Sequence, residues 1–92
     1  WWDSLEAVPT INRLRSAMEA VRSEELQKAL SRMGPDFSAR ERKVVEALSK
    51  GIINKILHVP VTQLRAPQSR QDRQQSLRTV ERLFALEESG QE

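Results

Sequence analysis

The stretch from Pro9 to Met33 most constrains this chain, because it contains no residue that would interrupt a helix. Pro is tolerated in the first turn of a helix, so a helix is expected to start or kink at Pro9. Gly34 followed by Pro35 should end it. At ~1.5 Å per residue such a helix is about 37 Å long, longer than the ~30 Å diameter of a compact domain of this size. Part of its apolar face is therefore expected to need a second chain.

A second helix is predicted to begin after Ser38, because Ser38 and Glu41 have the spacing of a capping box. Its apolar residues cover about 220° of the helical wheel, which is too wide for a helix with one buried stripe. This helix is therefore predicted to be central and to end near Leu57. The other face carries small or hydrogen-bonding residues, namely Ala47, Gly51, Asn54 and His58.

Pro60 is predicted to break this helix at a sharp corner, with His58 acting as a C-terminal residue that bonds the last carbonyls. A short turn should follow, and residues 66–75 should form a loop. Asp72 is predicted to cap a last helix, whose buried stripe is Leu77, Val80 and Phe84 and whose end is Ser89-Gly90. The predicted fold is an all-α domain of three to four helices. Residues 1–8 are expected to end an upstream helix or linker, residues 9–88 to form the domain and residues 89–92 a tail.

Composition excludes most kinds of catalytic site. The chain has 92 residues, no Cys and one His, so a Ser-His-Asp set, a thiolate site or a metal cluster cannot be assembled convincingly. The three glycines form no nucleotide-binding motif. No apolar run is long enough for a membrane span. The chain is therefore predicted to hold no catalytic residue, cofactor or metal.

Gly51 leaves two interpretations open. A glycine inside a helix costs up to ~1 kcal/mol relative to Ala, which favours close approach of another helix, with Asn54 setting the register. The alternative is a glycine that the helix merely tolerates.

The C-terminal third is rich in arginine and also leaves two interpretations open. Its five arginines indicate a solvated helix face or, less favoured, a nucleic-acid surface. They are Arg65, Arg70, Arg73, Arg78 and Arg82.

Several motifs resemble the C-terminal dimerisation domain of glutamyl-tRNA reductase, over roughly residues 8–87. Val8-Pro9-Thr10-Ile11 with Leu14-Arg15 is similar to its opening. The most specific match is Asn54-Lys55-Ile56-Leu57-His58-Val59-Pro60 with Leu64-Arg65, and Leu83-Phe84-Ala85-Leu86 is similar to its closing motif. The cyanobacterial and plastid branch is the most similar.

The resemblance implies a part of a homodimeric, NADPH-dependent enzyme that reduces glutamyl-tRNA to glutamate-1-semialdehyde in tetrapyrrole synthesis. It implies a location in the bacterial cytoplasm or the plastid stroma. The catalytic residues, the NADPH site and most contacts to glutamyl-tRNA would lie in other domains. A regulatory protein docking on the helical surface, or a basic tRNA-contacting surface, are alternative roles for this part.

The chain is thus predicted to be a homodimerisation module. Its predicted interface comprises Ile11, Leu14, Met18, Val21, Leu48, Gly51, Ile52, Asn54 and Ile56. Residues predicted to shape the fold are Pro9, Gly34, Ser38, Glu41, His58 and Pro60. Which face of the second helix meets the partner stays open from the sequence.

Overall fold

The computed structural model describes residues 2–86, which form three α-helices. Helix α1 spans Trp2–Met33, α2 spans Ala39–Arg65 and α3 spans Arg70–Leu83. No strand occurs in this range. The all-α prediction is confirmed, with three helices.

Helix α1 contains Pro9 in its interior instead of starting there. Proline lacks the N–H that would bond the carbonyl of Leu5, so the helix loses one hydrogen bond at this turn. The buried neighbours Ala7, Thr10 and Ile11 hold the two sides of this turn against the rest of the protein. The predicted stop is confirmed, because α1 ends at Met33 and Gly34 has a φ of 75°, a backbone conformation that glycine adopts without a Cβ penalty.

Helix α2 begins as predicted but ends later. Ser38 Oγ accepts from the Glu41 amide at 3.1 Å, and the Ser38 amide donates to Glu41 Oε1 at 2.7 Å, which confirms the capping box. The predicted end near Leu57 and the predicted break at Pro60 are wrong, since α2 continues through Pro60 to Arg65. His58 therefore lies inside the helix and is not its C-terminal residue.

Burial explains why α2 continues past its proline. Leu57, Val61 and Leu64 follow one another at helical spacing and are 6%, 6% and 2% exposed. A break at Pro60 would turn Val61 and Leu64 out of the core. Burying two such aliphatic side chains is worth about 3–6 kcal/mol, comparable to or more than the roughly 3 kcal/mol cost of a proline inside a helix.

Helix α3 starts within the segment predicted to be a loop. Its N-cap is Ser69, whose Oγ accepts from the Asp72 amide at 3.1 Å, so the prediction that Asp72 is the cap is wrong. The helix ends at Leu83, and the predicted end at Ser89-Gly90 lies outside the described residues. Phe84 was predicted to be buried but is 39% exposed, whereas Leu77 and Val80 pack partly against the core.

The main core of the described chain lies where the three helices meet. Its buried members are Ala7, Ile11, Leu14, Leu57, Val61, Leu64 and Leu86. The protein measures 54 × 28 × 16 Å and its radius of gyration is 16.5 Å, against about 12 Å for a compact domain of this length. The molecule is therefore elongated, and large parts of α1 and α2 extend beyond the region that α3 crosses.

Polar contacts fix α3 to the other two helices. Glu81 Oε2 accepts from Thr10 Oγ1 at 2.8 Å and from an Arg13 guanidinium nitrogen at 2.7 Å. Arg73, predicted to lie on a solvated face, is instead 1% exposed. It donates to the carbonyl oxygens of Leu64 at 3.0 Å and Ala66 at 2.9 Å. These contacts place α3 across the first half of α1 and the second half of α2.

Candidate functional site

The most prominent surface feature is a line of aliphatic side chains along α2, which we call the apolar stripe. Its members repeat every three or four residues, so they lie on one side of the helix. Their exposed fractions run from 50% to 63%, whereas side chains of this kind are usually buried. The stripe consists of Val44, Leu48, Ile52, Ile56 and Val59.

The apolar stripe continues onto α1 through a shallow groove of about 280 Å³. Val21 on α1 is 52% exposed and lines this groove together with Leu48 and Ile52. Leu26 closes its floor and is 7% exposed. The groove lies beyond the reach of α3, so in the described part of the chain nothing covers it.

A buried arginine supports the groove from below. Arg22 is 9% exposed; its Nε donates to Glu19 Oε1 at 2.9 Å and its NH1 group to Ser49 Oγ at 3.1 Å. The hydrogen bond from Arg22, together with its charge and that of Lys50, lowers the pKa of Glu19 and outweighs the opposing effect of desolvation. The same hydrogen bond raises the pKa of Arg22. The Arg22–Ser49 hydrogen bond ties α1 to α2 while leaving the mouth of the groove apolar.

The structure divides the nine predicted interface residues into three groups. Ile11 and Leu14 are 1% and 0% exposed in the chain's own core, with Met18 packed against it. The surface open to a second copy is therefore made by the others. Val21, Leu48, Ile52 and Ile56 lie along the groove and the apolar stripe, while Gly51 and Asn54 are exposed on the neighbouring face of α2.

No other element of the described chain lies close to Gly51. A Cβ built on it would meet nothing within 4 Å. Close approach of a helix at this glycine is therefore not made by residues 2–86, and approach by a second copy stays a prediction.

Sequence reasoning missed two members of the apolar stripe and the buried Arg22. Neither Val44 nor Val59 was among the predicted interface residues, and Val59 directly precedes the break that was predicted at Pro60. The regular spacing from Val44 to Val59 could have indicated an unbroken helix. Arg22 could have been noticed because Glu19 lies three residues before it, at ion-pair spacing.

The apolar stripe and its groove are suited to binding and carry few groups that could take part in catalysis. No group of three or more potential metal-ligating side chains occurs among the described residues. The single histidine, His58, is exposed. Within residues 2–86, no helix is both long and apolar enough to cross a membrane. The apolar stripe and the groove together form an extended apolar surface against which another protein surface can pack.

The sequence matches the family model described as glutamyl-tRNAGlu reductase, dimerisation domain, over residues 1–86. The chain belongs to this family. The match confirms the resemblance inferred from the motifs around Pro9 and Pro60, and it makes the chain a dimerisation domain by family.

Relatives bearing the name glutamyl-tRNA reductase cover nearly the whole chain. The one from Synechococcus sp. strain CC9605 is 88% identical over 89 residues, which are 97% of this chain and 21% of the relative. The one from Prochlorococcus marinus strain MIT 9303 is 84% identical over 87 residues, which are 95% of this chain and 20% of the relative. The dimerisation domain thus spans about a fifth of the relatives that it matches.

Proposed function

We propose that this dimerisation domain joins two copies of an NADPH-dependent glutamyl-tRNA reductase, with the apolar stripe of one copy packing against that of the other. The observation that carries the proposal is the exposure of five aligned aliphatic residues on α2, each at 50% or more. The family description assigns dimerisation to such a domain, and the apolar stripe gives that role a surface.

The size of the surface supports a protein partner. The apolar stripe presents an apolar area on the order of 500 Å², at the upper end of what monomeric proteins expose. Including the groove beside Val21, it approaches the ~800 Å² per partner of a standard interface. Covering it would also bury apolar residues of α1 and α2 that α3 does not reach.

The arrangement suits a twofold contact between identical chains. In an isologous dimer the same surface serves both partners, so a straight row on one helix can pair with its own copy. Aliphatic side chains at spacings of three and four interdigitate as ridges and grooves when two such helices cross. The hypothesis places the twofold axis near the middle of the apolar stripe, at Ile52.

The reduction itself is proposed to take place in the rest of the enzyme. The relatives are about five times as long as this chain, which leaves room for a catalytic and an NADPH-binding domain. No residue of this chain is proposed to hold NADPH or to react with substrate. The domain's contribution to activity is to hold two subunits at a fixed separation and angle.

Sedimentation equilibrium of the 10.6 kDa chain tests the proposal. We expect twice the chain mass for the wild type at micromolar concentration. Leu48→Glu buries a charge one helical turn from the proposed twofold axis and should weaken dimerisation by about a hundredfold or more. Leu83→Glu is the matched control, because Leu83 is 69% exposed, against 62% for Leu48, but lies on α3.

A monomeric wild type at tens of micromolar would overturn the proposal. So would equal dimer affinity in the Leu48→Glu and Leu83→Glu proteins, because the apolar stripe would then take no part in the contact. A monomer that instead binds an unrelated helix along the apolar stripe would assign the domain to docking of a regulatory protein.

A further inference from the structure

A second, polar cleft lies between α1 and α2, on a face of α2 different from the apolar stripe. Its volume is about 480 Å³. The side chains on its rim all carry hydrogen-bond donors, and two buried aliphatic residues, Leu57 and Val61, form its floor. The rim consists of Arg15 on α1 and of Asn54, His58, Thr62 and Arg65 on α2.

The cleft is positively charged and contains no opposing carboxylate. Arg15 and Arg65 form no ion pair within the described part of the chain. The carboxylate nearest to Arg15 along α1 is that of Glu19, one turn later, and Arg22 already holds it at 2.9 Å. Two guanidinium groups therefore face a cleft without a partner, in a chain whose formal net charge is only +2.

These donors match the chemistry of a phosphate group. Guanidinium groups bind phosphate through two parallel hydrogen bonds, and charge-assisted bonds of this kind are about twice as strong as neutral ones. The Asn54 amide, the Thr62 hydroxyl and the His58 ring can each donate one further hydrogen bond. The apolar floor excludes water from one side and so strengthens the attraction.

We propose that this cleft binds a phosphate group, carried either by a nucleic-acid backbone or by a small organic phosphate. Arg15 and Arg65 would hold the charge from the two helices, and Asn54 would fix the orientation of the oxygens. The volume exceeds that of a single phosphate, so part of the attached molecule fits beside it. The proposal uses none of the residues of the apolar stripe and does not depend on dimerisation.

NMR titration of the full chain with sodium phosphate tests it, with sodium chloride at matched ionic strength as the reference. We expect saturable shifts of the Asn54 side-chain amide and of the Arg15 and Arg65 Nε–H signals, with a millimolar Kd. The double variant Arg15→Gln, Arg65→Gln should weaken binding at least tenfold. The control double variant Arg32→Gln, Arg40→Gln changes two exposed arginines that do not line the cleft and should stay within twofold.

Shifts that chloride reproduces would overturn the proposal, as would equal losses in the two double variants. Should the cleft double variant unfold, Asn54→Ala provides the second test and should weaken phosphate binding about threefold.

A 12-nucleotide RNA distinguishes a nucleic-acid backbone from a small organic phosphate as the source of the bound phosphate group. Binding much tighter than inorganic phosphate, with a steep salt dependence and with sensitivity to the cleft variant, assigns a nucleic acid. RNA binding no tighter than inorganic phosphate assigns a small ligand, and tight RNA binding that ignores the cleft variant contradicts the proposal. Sedimentation equilibrium on the same samples reports dimerisation separately.

Discussion

Arg73 connects the end of α2 to the start of α3 through its own side chain. The last four carbonyls of a helix have no partner within the helix and carry partial negative charge. Arg73 donates to two carbonyls at this end, those of Leu64 and Ala66. Its Nε is buried without a hydrogen-bond partner in the described structure. The desolvation of this group therefore opposes burial of the side chain, and the two hydrogen bonds to the carbonyls offset it.

Arg73→Met is expected to destabilise the protein by about 2–3 kcal/mol, because two charge-assisted hydrogen bonds are lost and two carbonyls stay unpaired. Methionine keeps most of the buried volume, which isolates the polar contribution. The measurement is urea unfolding followed by circular dichroism. Arg78→Met on the exposed side of α3 should change stability by less than ~0.5 kcal/mol; equal effects of the two variants would contradict the capping role.

The Glu19–Arg22 pair predicts a dependence of stability on pH. The Arg22 hydrogen bond holds the pKa of Glu19 below its ordinary value of 4.5, and the unfolded chain restores that value. A carboxylate with a lowered folded pKa adds stability above the unfolded pKa and loses it as the pH falls through the folded pKa. The difference in Tm between wild type and Glu19→Gln should therefore shrink from about pH 6 to about pH 3.

The control for this prediction is Glu24→Gln, which removes an exposed carboxylate 3.6 Å from Lys28. Such surface pairs contribute little, so its Tm difference should be small throughout the range. A Glu19→Gln difference that stays constant with pH would show that the pair adds nothing through the charge of Glu19.

Among the elements, α2 shows both what the sequence determines and where local rules fail. The capping box at Ser38 and the stop at Gly34 were predicted correctly, because each depends on hydrogen bonds or backbone angles of neighbouring residues. The predicted break at Pro60 was wrong because continuation of the helix depends on the burial of Val61 and Leu64 in a core shared with α1. Those contacts join residues that are distant in sequence. Val59 was left out of the predicted interface for the same reason, since the false break separated it from Ile56.

Pro60→Ala is expected to stabilise the monomer by about 1–2 kcal/mol. The substitution restores a hydrogen bond to the Ile56 carbonyl inside α2, while the loss of the partly buried ring and the added freedom of the unfolded chain offset part of the gain. Pro67→Ala is the matched control, because Pro67 is exposed between α2 and α3. Its removal should cost about 0.5–1 kcal/mol through the unfolded state.

Chemical unfolding in the Leu48→Glu background measures both proline variants without the effect of dimerisation. Changes of opposite sign in their free energies of unfolding would support this account. A loss of stability in both variants would mean that packing of the Pro60 ring contributes more than the hydrogen bond that alanine restores.

At the scale of the whole molecule, the division between core and surface follows from where the helices cross. Three helices bury the residues at their meeting point but leave α2 open along its other side. The sequence predicted that this domain would need a partner, because α1 is longer than a compact domain is wide. It could not predict which side of α2 would be open, because that depends on how α3 crosses the other two helices.

Folding of the wild-type domain is therefore expected to be coupled to dimerisation. A partner that binds only the folded state raises stability by mass action, so Tm should rise with protein concentration, by roughly 5–8 °C over a hundredfold range for a dimer of this size. Differential scanning calorimetry measures this directly. Leu48→Glu should show a lower Tm that is independent of concentration, whereas Leu83→Glu should follow the wild type. A wild-type Tm that is constant over the same range would contradict the coupling, because the monomer's small core would then suffice for its stability.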